Sequence, residues 1–114
     1  MYGFKEIDAA TLAQWLEEGV PVKLVDTRTL AEMNQGMIPG AEALPLHLVP
    51  VKLPEVREGE KLVMYCRSGA RSAQACAFLA QRGMSEVYNL RGGIISWAAS
   101  GLPLVAPQRD KMAG

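Results

Sequence analysis

The sequence predicts an α/β domain: a mainly parallel central sheet flanked by helices on both faces. Three observations predict it. Short apolar runs alternate with segments of helical period along the whole chain. Glycine or proline marks most of the junctions between them. The most strand-like run, residues 62–65, passes through one tight turn straight into a helical pattern, as a β–α unit does.

In order, residues 4–7 make a short edge strand. Asp8 is placed to cap a helix over Ala9–Glu18, with Leu12, Trp15 and Leu16 on one face and Gly19 at its end. Val22–Asp26 reads as a second strand, whose end carries Asp26, Thr27 and Arg28. Thr29 with Glu32 three residues on is a capping box for a short helix, and Glu32 is assigned that capping role alone. Turn chemistry follows over 36–41, then a brief strand over 42–44. Residues 45–56 resist assignment, since Pro50 and Pro54 forbid one regular helix. After a polar turn at 57–60 comes the strand 62–65, a helix over 71–81 ending near Gly83, a strand Val87–Leu90, and a last helix over 94–99. Trp15 and Trp97 are read as core anchors. Residues 1–107 are expected to form a single domain and 108–114 a frayed tail.

Composition excludes several classes. The 114 residues suffice for one core, and 49% apolar with 21% charged residues is an ordinary globular balance. Twelve basic and twelve acidic residues cancel, which points away from nucleic acid and membrane surfaces as general partners. Cys66 and Cys76 are too few for a disulfide framework and match no zinc spacing, and His47 is the only histidine. The first residues do not read as a signal peptide, and a cytoplasmic location is expected.

The chemistry lies in Cys66-Arg67-Ser68-Gly69-Ala70-Arg71-Ser72. A strand delivers Cys66 to its carboxyl end, and a helix begins within a few residues. Loop N–H groups and the unpaired first N–H groups of that helix can converge on one point. A cysteine there is expected to titrate low, with its thiolate at the positive helix end between Arg67 and Arg71. Cys66 is therefore assigned as a nucleophile. Cys76 shares a helix face with Ala73, Ala77 and Ala80 and is assigned to the core. The carboxyl-edge rule for parallel sheets places Asp26 and Arg28 on the same edge as Cys66, where they are expected to be a supporting pair beneath the loop.

Four segments in order resemble the single-domain rhodaneses, thiosulfate sulfurtransferases, over roughly residues 4–104. They are Val25-Asp26-Thr27-Arg28, the turn Gly36-Met37-Ile38-Pro39-Gly40-Ala41, the loop from Cys66 to Ser72, and Leu90-Arg91-Gly92-Gly93 followed by Trp97. Met37 stands where that family usually has histidine. The resemblance implies a rhodanese-like fold and transfer of a sulfane sulfur through a persulfide on Cys66, with Arg67, Ser68, Gly69, Ala70 and Arg71 as the substrate-binding loop. It implies a small anionic donor such as thiosulfate, and cyanide, a small thiol or a protein thiol as acceptor. No metal and no organic cofactor is expected.

Loop length separates this chemistry from its neighbours. Four residues stand between Cys66 and Arg71, whereas the related cell-cycle phosphatases have five. The shorter ring suits one sulfur atom rather than a phosphate. A phosphatase also needs a general acid, for which Asp26 is the only obvious candidate. The alternatives are a sulfur-carrier or regulatory module that passes its sulfur to a dedicated protein, and a weak arsenate or phosphate enzyme.

Overall fold

The structure, a computed structural model, describes residues 3–107. The predicted frayed tail, 108–114, lies outside the described residues. In chain order the elements are β1 (Lys5–Ile7), α1 (Ala9–Glu18), β2 (Val22–Asp26), α2 (Leu30–Met33), β3 (Glu42–Ala43), a 3-10 turn (Leu46–Leu48), β4 (Lys61–Tyr65), α3 (Ala70–Gln81), β5 (Val87–Leu90) and α4 (Gly93–Ala99). The strands form one sheet in the order β1-β5-β4-β2-β3, and every pairing is parallel.

Side-chain alternation along β4 explains why the sheet is covered on both faces. Val63 and Tyr65 join one core with Leu12, Met33, Ile38, Tyr88, Leu90 and Trp97, beneath α1, α2 and α4. Leu62 and Met64 point the other way, into a core with Val49, Ala75, Cys76, Leu79 and Val87 beneath α3 and the 3-10 turn. The predicted α/β class with helices on both faces is what the structure shows.

Local signals act as predicted at several termini. Asp8 accepts the Thr11 N–H at 2.8 Å, and Gly19 closes α1 in the left-handed region. Thr29 and Glu32 form the capping box of α2. Elsewhere the boundaries shift for physical reasons. Helix α3 starts at Ala70, one residue early, because Gly69 at φ +103 turns the chain directly into it. At its other end the capping position is Arg82, and Gly83 takes the left-handed position just beyond. Strand β3 stops at Ala43: Leu44 still donates to the Asp26 carbonyl, but Pro45 has no N–H to continue.

Trp97 is buried, and its indole N–H donates to the Pro103 carbonyl at 2.7 Å, tying down the segment after α4. Trp15 packs against the same core from its margin. It is half-buried, packs edge-on against Tyr88, and has the Lys61 ammonium 5.3 Å from its ring centre.

Register brings the strand ends level. Asp26 of β2 pairs with Tyr65 of β4, so Thr27 and Cys66 leave the sheet side by side. The Thr27 N–H and hydroxyl both donate to the Tyr65 carbonyl, at 2.9 and 3.0 Å. Helix α4 packs its start against the loop that follows Cys66. Gly93, at φ +57, lies so close that a Cβ built there would sit 2.4 Å from the Arg67 carbonyl oxygen and 2.5 Å from that of Cys66.

That contact predicts a contrast between two glycines. Gly59 also has positive φ, +84, but a Cβ there meets nothing within 4 Å. Gly59→Ala should cost only the left-handed backbone penalty, about 1–2 kcal/mol. Gly93→Ala adds a backbone collision and should cost well beyond that, with the loop displaced. Thermal unfolding of the two variants side by side checks this, and equal losses would contradict it.

Candidate active site

Cys66 is the first residue after β4 and is 1% exposed. Three polar groups surround its sulfur. The Gly69 N–H lies 3.1 Å away, the Ser72 N–H 3.4 Å, and the Ser72 hydroxyl 3.5 Å. Gly69 makes this possible, because its left-handed backbone turns its N–H inward. Burial pushes the Cys66 thiol up, but the Ser72 hydroxyl and the N–H groups of Ser72, Gly69 and Ser68 outweigh it and hold the thiol below its ordinary value.

The direction matches the sequence expectation, and the cause is partly different. The main acidifying groups are uncharged donors, not the two arginines. Arg71 is bound to Glu32 of α2 through two 2.8 Å hydrogen bonds, one from each guanidinium nitrogen. It acts on the sulfur only as a more distant charge. Arg67 is exposed and has no ion-pair partner among the described residues.

Glu32 thus has two roles where the sequence suggested one. Its carboxylate accepts the Thr29 N–H, as the capping box requires, and also the Thr29 hydroxyl, and it holds Arg71 across 39 residues of sequence. Arg71, with help from Thr29, lowers the Glu32 carboxyl to about 2. The Arg71–Glu32 pair fastens the first turn of α3, where a cation opposes the helix dipole, to the helix that follows β2.

Asp26 and Arg28 form the expected pair. The Arg28 guanidinium meets Asp26 through Nε at 3.0 and 3.1 Å and Nη2 at 2.7 Å. It also donates to the carbonyls of Gly36 at 2.7 Å and Glu32 at 3.3 Å. Both residues are buried. Arg28 engages both oxygens of the Asp26 carboxylate, which is not how a free general acid is held. The Tyr65 hydroxyl accepts the Ile38 N–H at 3.1 Å, and burial beside Asp26 pushes that phenol up.

Asn89 is a site residue the sequence reading missed. From β5 its Nδ2 donates to the Gly69 carbonyl at 3.2 Å and to Glu6 at 3.1 Å, and its Oδ1 lies 2.5 Å from the Ser72 hydroxyl. The available signal was a polar residue inside Val-Tyr-Asn-Leu, a strand otherwise apolar enough to be buried on both faces. Ser68 and Ala70 are exposed at the rim. Cys76 is fully buried, donates to the Tyr88 carbonyl at 3.5 Å, and burial pushes its thiol up to about 12. The buried face of α3 is Ser72, Ala75, Cys76 and Leu79, while Ala73, Ala77 and Ala80 are only half-buried.

Beside the loop is a shallow pocket of about 210 Å³, whose lining includes Arg28, Gln35, Arg67, Ile95, Ala98 and Leu104. A larger polar groove bounded by Lys23, Glu55 and Arg57 lies away from the cysteine. Among the described residues no cluster of His, Cys, Asp and Glu is arranged to hold a metal, and no helix is long and apolar enough to cross a membrane.

Comparison with known proteins supplies the family. Residues 8–100 match the family model of the rhodanese-like domain. The chain is 56% identical over 103 residues to a sulfurtransferase of Allochromatium vinosum, covering 90% of this chain and 96% of that one. It is 33% identical over 99 residues to a putative sulfurtransferase, YtwF, of Bacillus subtilis, covering 87% and 95% respectively. The crystal structure of a rhodanese-like domain protein from Staphylococcus aureus superposes with a TM-score of 0.80 at 32% identity, over 91% of this chain and 99% of that one.

The Arg71–Glu32 pair generates a pH prediction. The folded-state value of Glu32 is depressed from 4.5 to about 2, so its contribution is present above 4.5 and lost as pH falls toward 2. Arg71 is about a third exposed, which limits the pair to about 1 kcal/mol. Over that acid window the wild type should lose about 1 kcal/mol more than Glu32→Gln, read from urea unfolding at each pH. Identical acid slopes would show that the pair does not fasten α3.

Proposed function

Because the chain belongs to the rhodanese-like family of sulfurtransferases, we propose that it moves a sulfane sulfur from thiosulfate, or a donor of the same shape and charge, to cyanide or a thiol through a persulfide on Cys66. The observation that carries this reading is the convergence of the Gly69 and Ser72 N–H groups on the Cys66 sulfur. Such donors favour a thiolate, and they then hold the negative charge as it moves to the outer sulfur.

The sequence of steps is a double displacement. The Cys66 thiolate attacks the outer sulfur of thiosulfate. A new S–S bond forms to Cys66, the donor's S–S bond breaks, and its electron pair leaves with sulfite. The anionic outer sulfur of the persulfide rests in the cradle. Attack on it by cyanide or a thiolate breaks the Cys66 S–S bond, and the electron pair returns to the Cys66 sulfur. Neither step needs a metal, an organic cofactor or a general acid.

Two further features support sulfur over phosphate. Cys66 is almost wholly buried, so a slender terminal sulfur reaches it more readily than a tetrahedral phosphate with its equatorial oxygens. Asp26, the candidate general acid of a phosphatase, is held by Arg28. Of the arginines near the loop, Arg28 and Arg71 are committed to carboxylates. Arg67 is the one exposed at the rim, where it can draw in a dianionic donor.

Incubation with thiosulfate, followed by mass spectrometry and a thiocyanate assay with cyanide, tests the reading. Wild type should gain the mass of one sulfur on Cys66 and turn over. Cys66→Ser should do neither, whereas Cys76→Ser should still load and transfer sulfur while losing about 1 kcal/mol of stability. A folded but inactive Cys76→Ser protein would overturn the assignment. So would a wild type that hydrolyses an aryl phosphate as readily as it takes up sulfur.

Arg67→Ala should raise KM for thiosulfate about tenfold and leave kcat nearly unchanged, as loss of one charge-assisted contact made equally in ground and transition states would. An unchanged KM would remove Arg67 from donor binding.

A further inference from the structure

The hydrogen bonds around Ser72 leave its hydroxyl with one proton and two claimants. Asn89 Nδ2 faces the Gly69 carbonyl and the Glu6 carboxylate. Both are acceptors, so this end of the side chain must be the NH2 group. The other end is then the carbonyl oxygen, 2.5 Å from Ser72 Oγ. An amide oxygen carries no proton, so at that distance the Ser72 hydroxyl is the donor. Its one proton therefore lies on the side of Asn89. Lone pairs of Ser72 Oγ face the Cys66 sulfur, 3.5 Å away.

That arrangement suits a thiol, whose S–H can donate to Ser72, and a sulfur already bonded to a second sulfur, which carries no charge of its own. It does not suit a bare thiolate. For the thiolate, the Ser72 hydroxyl must turn its proton to the sulfur and leave Asn89 Oδ1 without a donor at close range. We propose that Asn89 is a positioning residue: it holds the Ser72 proton while Cys66 is a thiol or a persulfide, and yields it to the sulfur when Cys66 is a bare thiolate. The inference rests on the reading of Cys66 as the nucleophile.

On ionisation the Cys66 proton goes to solvent, and Ser72 keeps its own proton and only turns it. When the persulfide forms, the charge leaves the Cys66 sulfur for the outer sulfur, and the Ser72 proton returns to Asn89. Asn89 thus opposes the bare thiolate and favours the sulfur-loaded state. The charged and titratable groups around Cys66 are Arg67 on the loop, Arg71 and Cys76 on α3 with Glu32 behind Arg71, Asp26, Arg28 and Tyr65 at the ends of β2 and β4, and Glu6 on β1 through Asn89. Helix α4 presents none. None of these groups changes in the comparison that follows.

The test is a cycle of four proteins: wild type, Asn89→Leu, Ser72→Ala and the double variant. Each is read by the pH dependence of Cys66 alkylation. Removing the Asn89 oxygen frees the Ser72 proton for the sulfur, so Asn89→Leu should lower the thiol midpoint by about one unit, one neutral hydrogen bond's worth, relative to its effect without Ser72. The lost Gly69 hydrogen bond acts in both backgrounds and cancels. An equal shift in both backgrounds, or a shift in the opposite sense, would overturn the inference. A wild-type midpoint below the roughly 8.5 of free cysteine reports separately on the nucleophile reading.

A second measurement needs no variant at position 89. In Glu6→Gln protein, which lacks the nearest titrating carboxylate, the Asn89 side-chain carbonyl carbon loses its hydrogen bond when Cys66 ionises. Its NMR shift should titrate at the midpoint found by alkylation. A carbonyl carbon that stays still while Cys66 ionises would refute the proposal, whether or not Asn89→Leu folds.

Discussion

A loop that points its N–H groups inward must point its carbonyls outward, and the rest of the site follows from that constraint. Inward, Gly69 and Ser72 aim their N–H groups at the Cys66 sulfur. Outward, the carbonyls of Cys66, Arg67 and Gly69 need donors of their own. The fold supplies a donor for each. Ile94 and Ile95, at the start of α4, donate to Cys66 and Arg67 at 2.9 and 3.2 Å, and Asn89 donates to Gly69. The unpaired N–H groups of one helix start thus meet the unpaired carbonyls of the loop that opens another. Gly93 is required because that meeting leaves no room for a Cβ.

Charge is arranged around the loop with the same economy. Asp26 and Arg28 are removed from water, where an unpaired member of either sign would be costly, and they satisfy each other along two edges. The spare guanidinium hydrogens go to the carbonyls at the end of α2 and the turn beyond it. Arg71 and Glu32 repeat the device nearer the surface. Both pairs join the region after β2 to the β4–α3 unit or to the chain beneath it. They fix geometry, and they take two cations out of competition for an incoming anion. What remains positive for the proposed anionic donor is Arg67 and the backbone.

Much of the fold was legible in the sequence because its elements carry their own signals. Asp8, Gly19, Thr29 and Glu32 mark helix ends by local chemistry, and local chemistry survives folding. The β–α unit at Cys66 was legible because strand, turn and helix are contiguous. What the sequence did not disclose is non-local. Glu32 reaches Arg71 across 39 residues, and Asn89 reaches Gly69 across 20. No spacing rule connects them; only the order β1-β5-β4-β2-β3 does. Trp15 illustrates the opposite limit. Its helical period placed it on the inward face, yet it lies where α1 meets the aromatic and charged edge of β4 and β5, and stays half in water.

The acidity of Cys66 is then a balance that the fold sets with uncharged groups. Burial opposes ionisation, and the donors at Gly69 and Ser72 reverse that opposition without bringing a cation into contact. A cation touching the sulfur would stabilise the thiolate more strongly. It would also hold the thiolate against the next step, since a nucleophile loses reactivity as its basicity falls. Dipoles are the milder instrument. In the proposed reaction, a ring of N–H groups can follow a charge that moves from one sulfur to the next, while a single ion pair addresses one position. The commitment of Arg71 to Glu32 therefore does more than anchor a helix: it keeps a guanidinium from taking hold of the sulfur that, in the proposed reaction, both attacks and leaves.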